Sequence, residues 1–113
     1  MAFGRRAEQN GLVRTIFFMS ERFGAFPWDG ELACAFRFTE VEPALAQGRE
    51  VTFDFRGVTN MTSSFCNALV ATLVAHHIED FARRIRFANC DPLIRQMILG
   101  AIALGRREAK EFA

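Results

Sequence analysis

The clearest pattern in the chain lies at residues 51–55, where apolar and polar side chains alternate with the two-residue period of a β-strand. A polar turn containing Gly57 follows the strand. An apolar run then predicts a helix from about residue 64 to residue 77. The pattern in the middle of the chain is therefore a buried strand, a short turn and a helix that opens on hydroxyl residues.

Residues 32–38 are compatible with two structures. Apolar residues at alternate positions are typical of a strand, yet residues 31–36 would also form helical turns, and the strand is the favoured interpretation. Thr39 followed by Glu42 is a capping box, which predicts that a short helix begins there and ends near residue 48.

The remaining segments are simpler. Residues 13–20 and 85–88 read as strands. Asp91 as an N-cap and Pro92 at the first helical position predict a final helix to about residue 104, with Gly105 as its C-cap. Strands that alternate with helices predict an α/β fold.

Length and composition indicate one domain. The chain has 113 residues, half of them hydrophobic, which suffices for a single core over residues 13–113. Residues 1–12 are polar and are expected to form a flexible arm.

Charge and cysteine content exclude several classes of protein. A net charge of +1 provides no basic field, so no nucleic-acid partner is expected. No apolar run approaches the roughly 20 residues that span a bilayer, and the N-terminus does not resemble a secretory signal. The three cysteines lack metal-ligand spacing, which predicts reduced thiols in a cytoplasmic protein.

The aromatic content is unusual, because the chain has thirteen phenylalanines and no tyrosine. Phenylalanine has no polar group, so most of these rings are expected in the core. Thirteen rings are many for so small an interior, and an exposed apolar patch covered by a partner or by a second copy is expected, which makes a homodimer one alternative.

Catalytic chemistry is sparse. His76 and His77 are neighbours on the predicted helix, where side chains point about 100° apart, so they are not expected to share a face. Cys90 precedes a helix N-terminus, where a thiol pKa would fall. No phosphate-binding glycine motif is present. The sequence predicts no enzyme, no cofactor and no metal site.

The hydroxyl residues Thr62, Ser63 and Ser64 permit two interpretations. Serine and threonine are preferred helix caps. A helix N-terminus also stabilises a phosphate group, so a phosphorylation switch is compatible with the same residues. Asp54 is similarly ambiguous, since it would either hold the following turn, the favoured interpretation, or influence a phosphate nearby.

At these residues the chain resembles a known family. It is similar to STAS domains, the fold of bacterial anti-anti-sigma factors, and closer to a STAS-like family of unassigned function. The resemblance covers about residues 38–104 and rests on Ser64-Phe65 and on the motif Asp54-Phe55-Arg56-Gly57-Val58. Against the anti-anti-sigma pattern, Thr62 replaces an aspartate and Phe65 replaces a glycine, while Ser63 aligns with the phosphorylated serine.

The resemblance implies a mixed β-sheet with helices packed mainly on one side. It also implies a regulatory module whose partner is an ATPase-type serine kinase or an anti-sigma-like protein, with Ser63, or else Ser64 or Thr62, as the phosphorylated residue. The residues expected to contact the partner are Asp54, Asn60, Met61 and Asn67. The alternative is a constitutive scaffold or homo-oligomer of the same fold without a switch.

Overall fold

A computed structural model describes residues 5–9 and 12–111 of the chain. Within these residues the chain forms a four-stranded sheet in the order β1-β2-β3-β4. Strands β2, β3 and β4 are parallel, and β1 joins β2 in the antiparallel sense. The strands are Arg5–Gln9, Leu12–Phe18, Glu50–Asp54 and Ile85–Ala88. The α/β fold predicted from the sequence is confirmed.

In the described part of the chain, five helical elements connect or follow the strands. Helix α1 is Met19–Phe23, and α4 is Phe81–Arg84. Helix α2 spans residues 30–46 in three consecutive segments, Gly30–Phe36, the π-helical Arg37–Val41, and Glu42–Ala46. Helix α3 spans residues 63–76 in the same way, as Ser63–Cys66, the π-helical Asn67–Ala71, and Thr72–His76. Helix α5 is Pro92–Glu111.

One face of the sheet forms one side of the hydrophobic core. Phe17, Phe53 and Phe87 lie side by side on the three parallel strands. Their rings stack across the sheet, with centroids 6.0 Å apart between Phe17 and Phe53 and 5.7 Å apart between Phe53 and Phe87. The alternation read in the sequence therefore places every second residue of β3 in this apolar layer.

The other face of the sheet carries charge. Arg14 and Arg86 both approach Glu50, with nitrogen–oxygen distances of 3.3 Å and 3.7 Å. These three residues are neighbours on the three parallel strands, and none of them is buried. The mixed sheet with helices packed mainly on one side, as the STAS-like resemblance implied, agrees with this division of the two faces.

The edge strand β1 differs from the arm predicted for residues 1–12. Of those residues, 1–4, 10 and 11 lie outside the described part of the chain, but Arg5–Gln9 pairs with β2. Pairing uses backbone groups, so an edge strand needs no alternating apolar pattern to form. Arg5 also stacks on the Phe18 ring at 4.3 Å and pairs with Glu21 at 3.1 Å.

The strand favoured for residues 32–38 is wrong, because this segment belongs to α2. The helix begins at Asp29, whose Oδ1 accepts a hydrogen bond from the Glu31 N–H at 2.9 Å. The buried residues of its first segment, Ala33 and Phe36, are spaced three apart as on a helix face. The alternating apolar residues of the sequence pattern lie partly in solvent.

The predicted capping box is also wrong, since Thr39 lies inside α2. Its hydroxyl donates to the Ala35 carbonyl at 2.7 Å, one turn earlier in the same helix. Pro43, expected in the first turn of a separate helix, instead follows the wide π-helical turn. Proline has no N–H to donate, and the wider turn lets α2 pass it without ending.

Helix α5 begins as predicted and ends later. The Oδ1 of Asp91 accepts a hydrogen bond from the Ile94 N–H at 3.0 Å, and Pro92 opens the helix. Gly105 was predicted as the C-cap, but the helix continues to Glu111. Gly105 is buried against α3, where a Cβ atom would lie 2.4 Å from the Ala71 carbonyl oxygen. The glycine permits close helix packing, and this use depends on contacts that the local sequence does not reveal.

Candidate functional site

The candidate site is the hydroxyl turn, residues 60–64, which ends the connection from β3 and includes the first two residues of α3. Hydrogen bonds to the loop between α1 and α2 fasten the backbone in this turn and just before it. The Thr59 N–H donates to the Ala25 carbonyl at 2.9 Å, and the Thr62 N–H donates to the Pro27 carbonyl at 3.0 Å. Gly57 takes a φ of +87°, a conformation that favours glycine, and it turns the chain away from β3 as the sequence predicted.

Thr62 is the helix cap. Its Oγ1 accepts a hydrogen bond from the Phe65 N–H at 3.0 Å and donates to the Trp28 carbonyl at 2.7 Å. Both functions of the hydroxyl are therefore engaged. Phe65, three residues on, is 1% exposed and contacts the Phe23 ring at 4.9 Å between centroids. The capping interpretation is confirmed for Thr62.

Ser63 and Ser64 are both exposed, but they face different surroundings. Ser63 lines a depression between α3 and α5, together with Asn67 and Arg107. Ser64 lies against the start of α2, where a Cβ atom on Gly30 would be 2.4 Å from the serine Oγ. The two neighbouring hydroxyls thus belong to opposite sides of α3.

Asp54 holds two turns together. Its Oδ1 accepts a hydrogen bond from the Arg56 N–H at 2.9 Å, and its Oδ2 accepts one from the Asn89 side-chain amide at 3.0 Å. Asn89 has a φ of +56° and begins the turn after β4. The turn-holding interpretation of Asp54 agrees with these contacts, and its contact with a partner stays a prediction.

The other residues predicted for partner contact are placed unequally. Asn60 is exposed, and its side-chain oxygen accepts a hydrogen bond from the Met61 N–H at 2.8 Å. Asn67 is half-buried beside Ser63. Met61 is only 3% exposed and belongs to the core. The prediction that Met61 contacts a partner is therefore wrong, because a buried side chain offers a partner almost no surface.

The two histidines converge on one carboxylate, contrary to the sequence prediction. His76 Nδ1 lies 3.2 Å from one oxygen of Glu42, and His77 Nε2 lies 2.6 Å from the other. The backbone of His77 departs from the helical conformation, with φ −124° and ψ 39°, and its ring therefore lies on the same side of α3 as the ring of His76. Burial alone would raise the pKa of Glu42, but the hydrogen bonds and charges of the histidines hold it below its ordinary value.

Burial makes the thiols of Cys66 and Cys90 harder to ionise. Burial raises the pKa of the Cys66 thiol to about 12. Burial also raises the pKa of Cys90, assisted by Asp54 and Asp91 and opposed by Arg95. The lowered Cys90 pKa expected near a helix N-terminus is therefore wrong, because desolvation of the thiolate outweighs the favourable charge.

The sequence alone does not indicate that two particular large apolar side chains lie at the surface. Trp28 is 64% exposed and Phe38 is 75% exposed, on the surface of α2 and the loop before it. The number of phenylalanines predicts an exposed apolar patch without locating it, and the single tryptophan lies in a segment rich in glycine and proline. Because the sequence favours a strand for residues 32–38, it does not indicate that these two side chains lie along one surface.

No cluster of three histidine, cysteine or acidic side chains suited to a metal ion occurs within residues 5–9 and 12–111. In the same residues, no helix combines the length and the apolar character needed to cross a membrane.

A family model described as a STAS-like domain of unknown function (DUF4325) matches residues 36–95. The matched region begins within α2, includes the hydroxyl turn and ends in the first turn of α5. Neither a curated protein nor a solved structure matches the chain.

Proposed function

The chain belongs to the STAS-like domain family of unknown function, and from that premise we propose that it is a regulatory module switched by phosphorylation of Ser63. The module acts in the cytoplasm through contact with a protein partner and without catalysis of its own. The partner is an ATPase-type serine kinase or an anti-sigma-like protein, and it contacts the hydroxyl turn and the adjoining surface of α3.

The observation that carries the proposal is the division of roles within the hydroxyl turn. Thr62 already supplies the helix cap, and both functions of its hydroxyl are engaged. Ser63 is exposed, and within the described part of the chain its hydroxyl makes no hydrogen bond. A kinase can therefore modify Ser63 without removing the cap from α3.

Charge favours Ser63 over Ser64 as the phosphorylated residue. A phosphoserine carries a charge of about −1.5 to −2. Ser63 shares its depression with Arg107, whereas Ser64 shares its own with Asp29 and Glu31. A phosphate on Ser64 would share its depression with two carboxylates, whereas one on Ser63 would share its depression with a guanidinium group.

Phosphorylation would add negative charge to the surface presented to the partner. The exposed Asn60 and the half-buried Asn67 flank Ser63 and offer neutral hydrogen-bonding groups. A partner selected for this neutral surface would have to desolvate two new negative charges in order to bind. Release of the partner is the expected result.

Mass spectrometry of the protein from its native cell tests the proposal, with phosphate expected on Ser63. The variant Ser64→Ala is the matched control for Ser63→Ala, because only the latter should abolish phosphate incorporation. In affinity capture from the same cell, Ser63→Asp should retain at least tenfold less partner than Ser63→Asn, a difference of about 1.4 kcal/mol. Unmodified Thr62, Ser63 and Ser64, together with equal capture by the two variants, would remove the switch.

The second candidate is a constitutive scaffold or homo-oligomer of the same fold. The exposure of Trp28 and Phe38 favours it, because large apolar side chains in solvent commonly mark contact surfaces. Phosphate incorporation separates the two candidates, since a scaffold requires none.

A further inference from the structure

Helices α2 and α3 lie side by side and run in the same direction. At one end, Gly30 of α2 contacts Ser64 of α3 so closely that no Cβ atom would fit between them. At the other end, Glu42 of α2 contacts both His76 and His77. The surface between the two helices is therefore fixed at both ends.

Two depressions follow this line of contact and form the two halves of one surface. The first half is lined by Trp28, Glu31, Cys34 and Ala68, and the second half by Phe38, Pro43 and the two histidines. We name this surface the Trp28 groove. It lies on the other side of α3 from the depression that holds Ser63.

Each half of the Trp28 groove has one large exposed apolar side chain. Trp28 is 64% exposed and Phe38 is 75% exposed, and both are larger than the side chains between them. Tryptophan is among the residues that most often dominate binding energy when a partner buries it. Phe38 lies eight positions after Gly30 in α2, which corresponds to about 12 Å along a helix axis.

A hydrogen bond between α2 and α3 fixes the surface of the groove. Arg37 lies between the two halves, and its Nε donates to the Ala68 carbonyl at 3.0 Å. Ala68 lies in the π-helical segment of α3. A cross-link of this kind between the helices means that a partner would meet a formed surface and need not order it.

At the Trp28 end of the groove, the charged side chains that could pair with a partner are acidic. Asp29 and Glu31 line it, and neither forms an ion pair with any residue that the structure describes. The cation Arg37 lines the other half of the groove, where its Nε donates to the Ala68 carbonyl. At the far end, Glu42 is occupied by the two histidines.

We propose that the Trp28 groove binds a basic amphipathic helix of a partner protein. Its apolar side chains would contact Trp28 and Phe38 about two turns apart, as in other helix-in-groove complexes. Its lysine or arginine residues would face Asp29 and Glu31 and gain from complementary charge. The inference rests on the proposed role in protein contact and not on phosphorylation.

Intrinsic fluorescence gives a direct test, because Trp28 is the only tryptophan and the chain has no tyrosine. Unphosphorylated recombinant protein is titrated with a synthetic amphipathic helix of leucine and lysine. The expected result is a saturable blue shift of the Trp28 emission as the indole leaves water. A peptide of the same pattern with glutamate in place of lysine should give no shift.

Variants locate the binding surface. Glu31→Lys should weaken binding at least tenfold, whereas Glu79→Lys, an equal charge change at another exposed position, should leave it within twofold. Phe38→Ser should also weaken binding at least tenfold, with Leu99→Ser on α5 as the matched apolar control. Circular dichroism checks that each variant is folded.

Three results would overturn the proposal. These are equal responses to the basic and acidic peptides, equal weakening by Glu31→Lys and Glu79→Lys, or a blue shift that depends on protein concentration alone. The last result would show that a second copy covers the groove. Because the titration uses unphosphorylated protein, failure of the Ser63 switch would leave its outcome unchanged.

Discussion

Replacement of Gly105 by alanine tests the close contact between helices α3 and α5. A Cβ atom at this position would lie 2.4 Å from the Ala71 carbonyl oxygen and 2.7 Å from the Val74 Cβ. Both distances are about 1 Å shorter than ordinary van der Waals contact. Helices α3 and α5 would have to separate, or the backbone would have to shift, to admit one methyl group.

Gly100 provides the matched control in the same helix. It is exposed, and a Cβ atom there would meet no atom within 4 Å. Alanine should therefore stabilise the helix at Gly100 by about 0.5–1 kcal/mol, because it has the higher helix propensity. The same propensity gain applies at Gly105, so the difference between the two variants isolates the cost of packing.

That difference should be about 1–3 kcal/mol, the usual cost of overpacking a well-filled interior. At about 4 °C per kcal/mol for a domain of this size, thermal melting should separate Gly105→Ala from Gly100→Ala by several degrees. Gly100→Ala should melt above the wild type and Gly105→Ala below it. If both variants melt above the wild type, α3 and α5 do not approach as closely as the structure places them.

Three further changes have defined outcomes. Phe65→Ala should cost about 3–5 kcal/mol in urea denaturation, because the ring is 1% exposed, and a neutral midpoint would contradict its place in the core. Gly57→Val should destabilise the fold by about 1–3 kcal/mol, because valine is strained at a φ of +87°; an unchanged melting temperature would remove this requirement. At pH 8, iodoacetamide should modify the exposed Cys34 well before Cys66, whose pKa of about 12 leaves almost no thiolate, and the reverse order would contradict the burial of Cys66.

The central and C-terminal parts of the fold were predictable because local signals agree with tertiary packing there. The alternating residues of β3 face a buried layer, as their period requires. Asp91 and Pro92 determine a helix start through contacts within one turn. Thr62 as a cap is also a local property, since its hydroxyl contacts the backbone three residues later.

The errors have a common physical origin in contacts between distant parts of the chain. In α2, the three-residue spacing of Ala33 and Phe36 competes with an alternating pattern in the same residues, and packing on the sheet decides between them. The role of Gly105 depends on α3 passing close by. The sequence predicts Glu42 as part of a capping box, but the histidines that it contacts lie 34 and 35 residues away.

The candidate site was only half predictable for the same reason. The hydroxyl residues are visible in the sequence, and the Thr62 cap follows from them. The bond from Thr62 to the Trp28 carbonyl spans 34 residues and has no local signal. That bond commits the Thr62 hydroxyl and leaves Ser63 available, so the distinction between the two residues required the structure.

The parallel arrangement of β2, β3 and β4 has a consequence for the order in which the chain folds. Arg14 and Glu50 meet across β2 and β3 at a separation of 36 residues, and the pairing of Val51 with Ile85 closes a loop of nearly the same length. The entropy of loop closure grows slowly with length, so the two closures cost almost the same. Because β3 takes part in both, neither half of the sheet can form without it. Folding should therefore be slower than in a helical bundle of equal length, with β3 as the strand on which the rate depends.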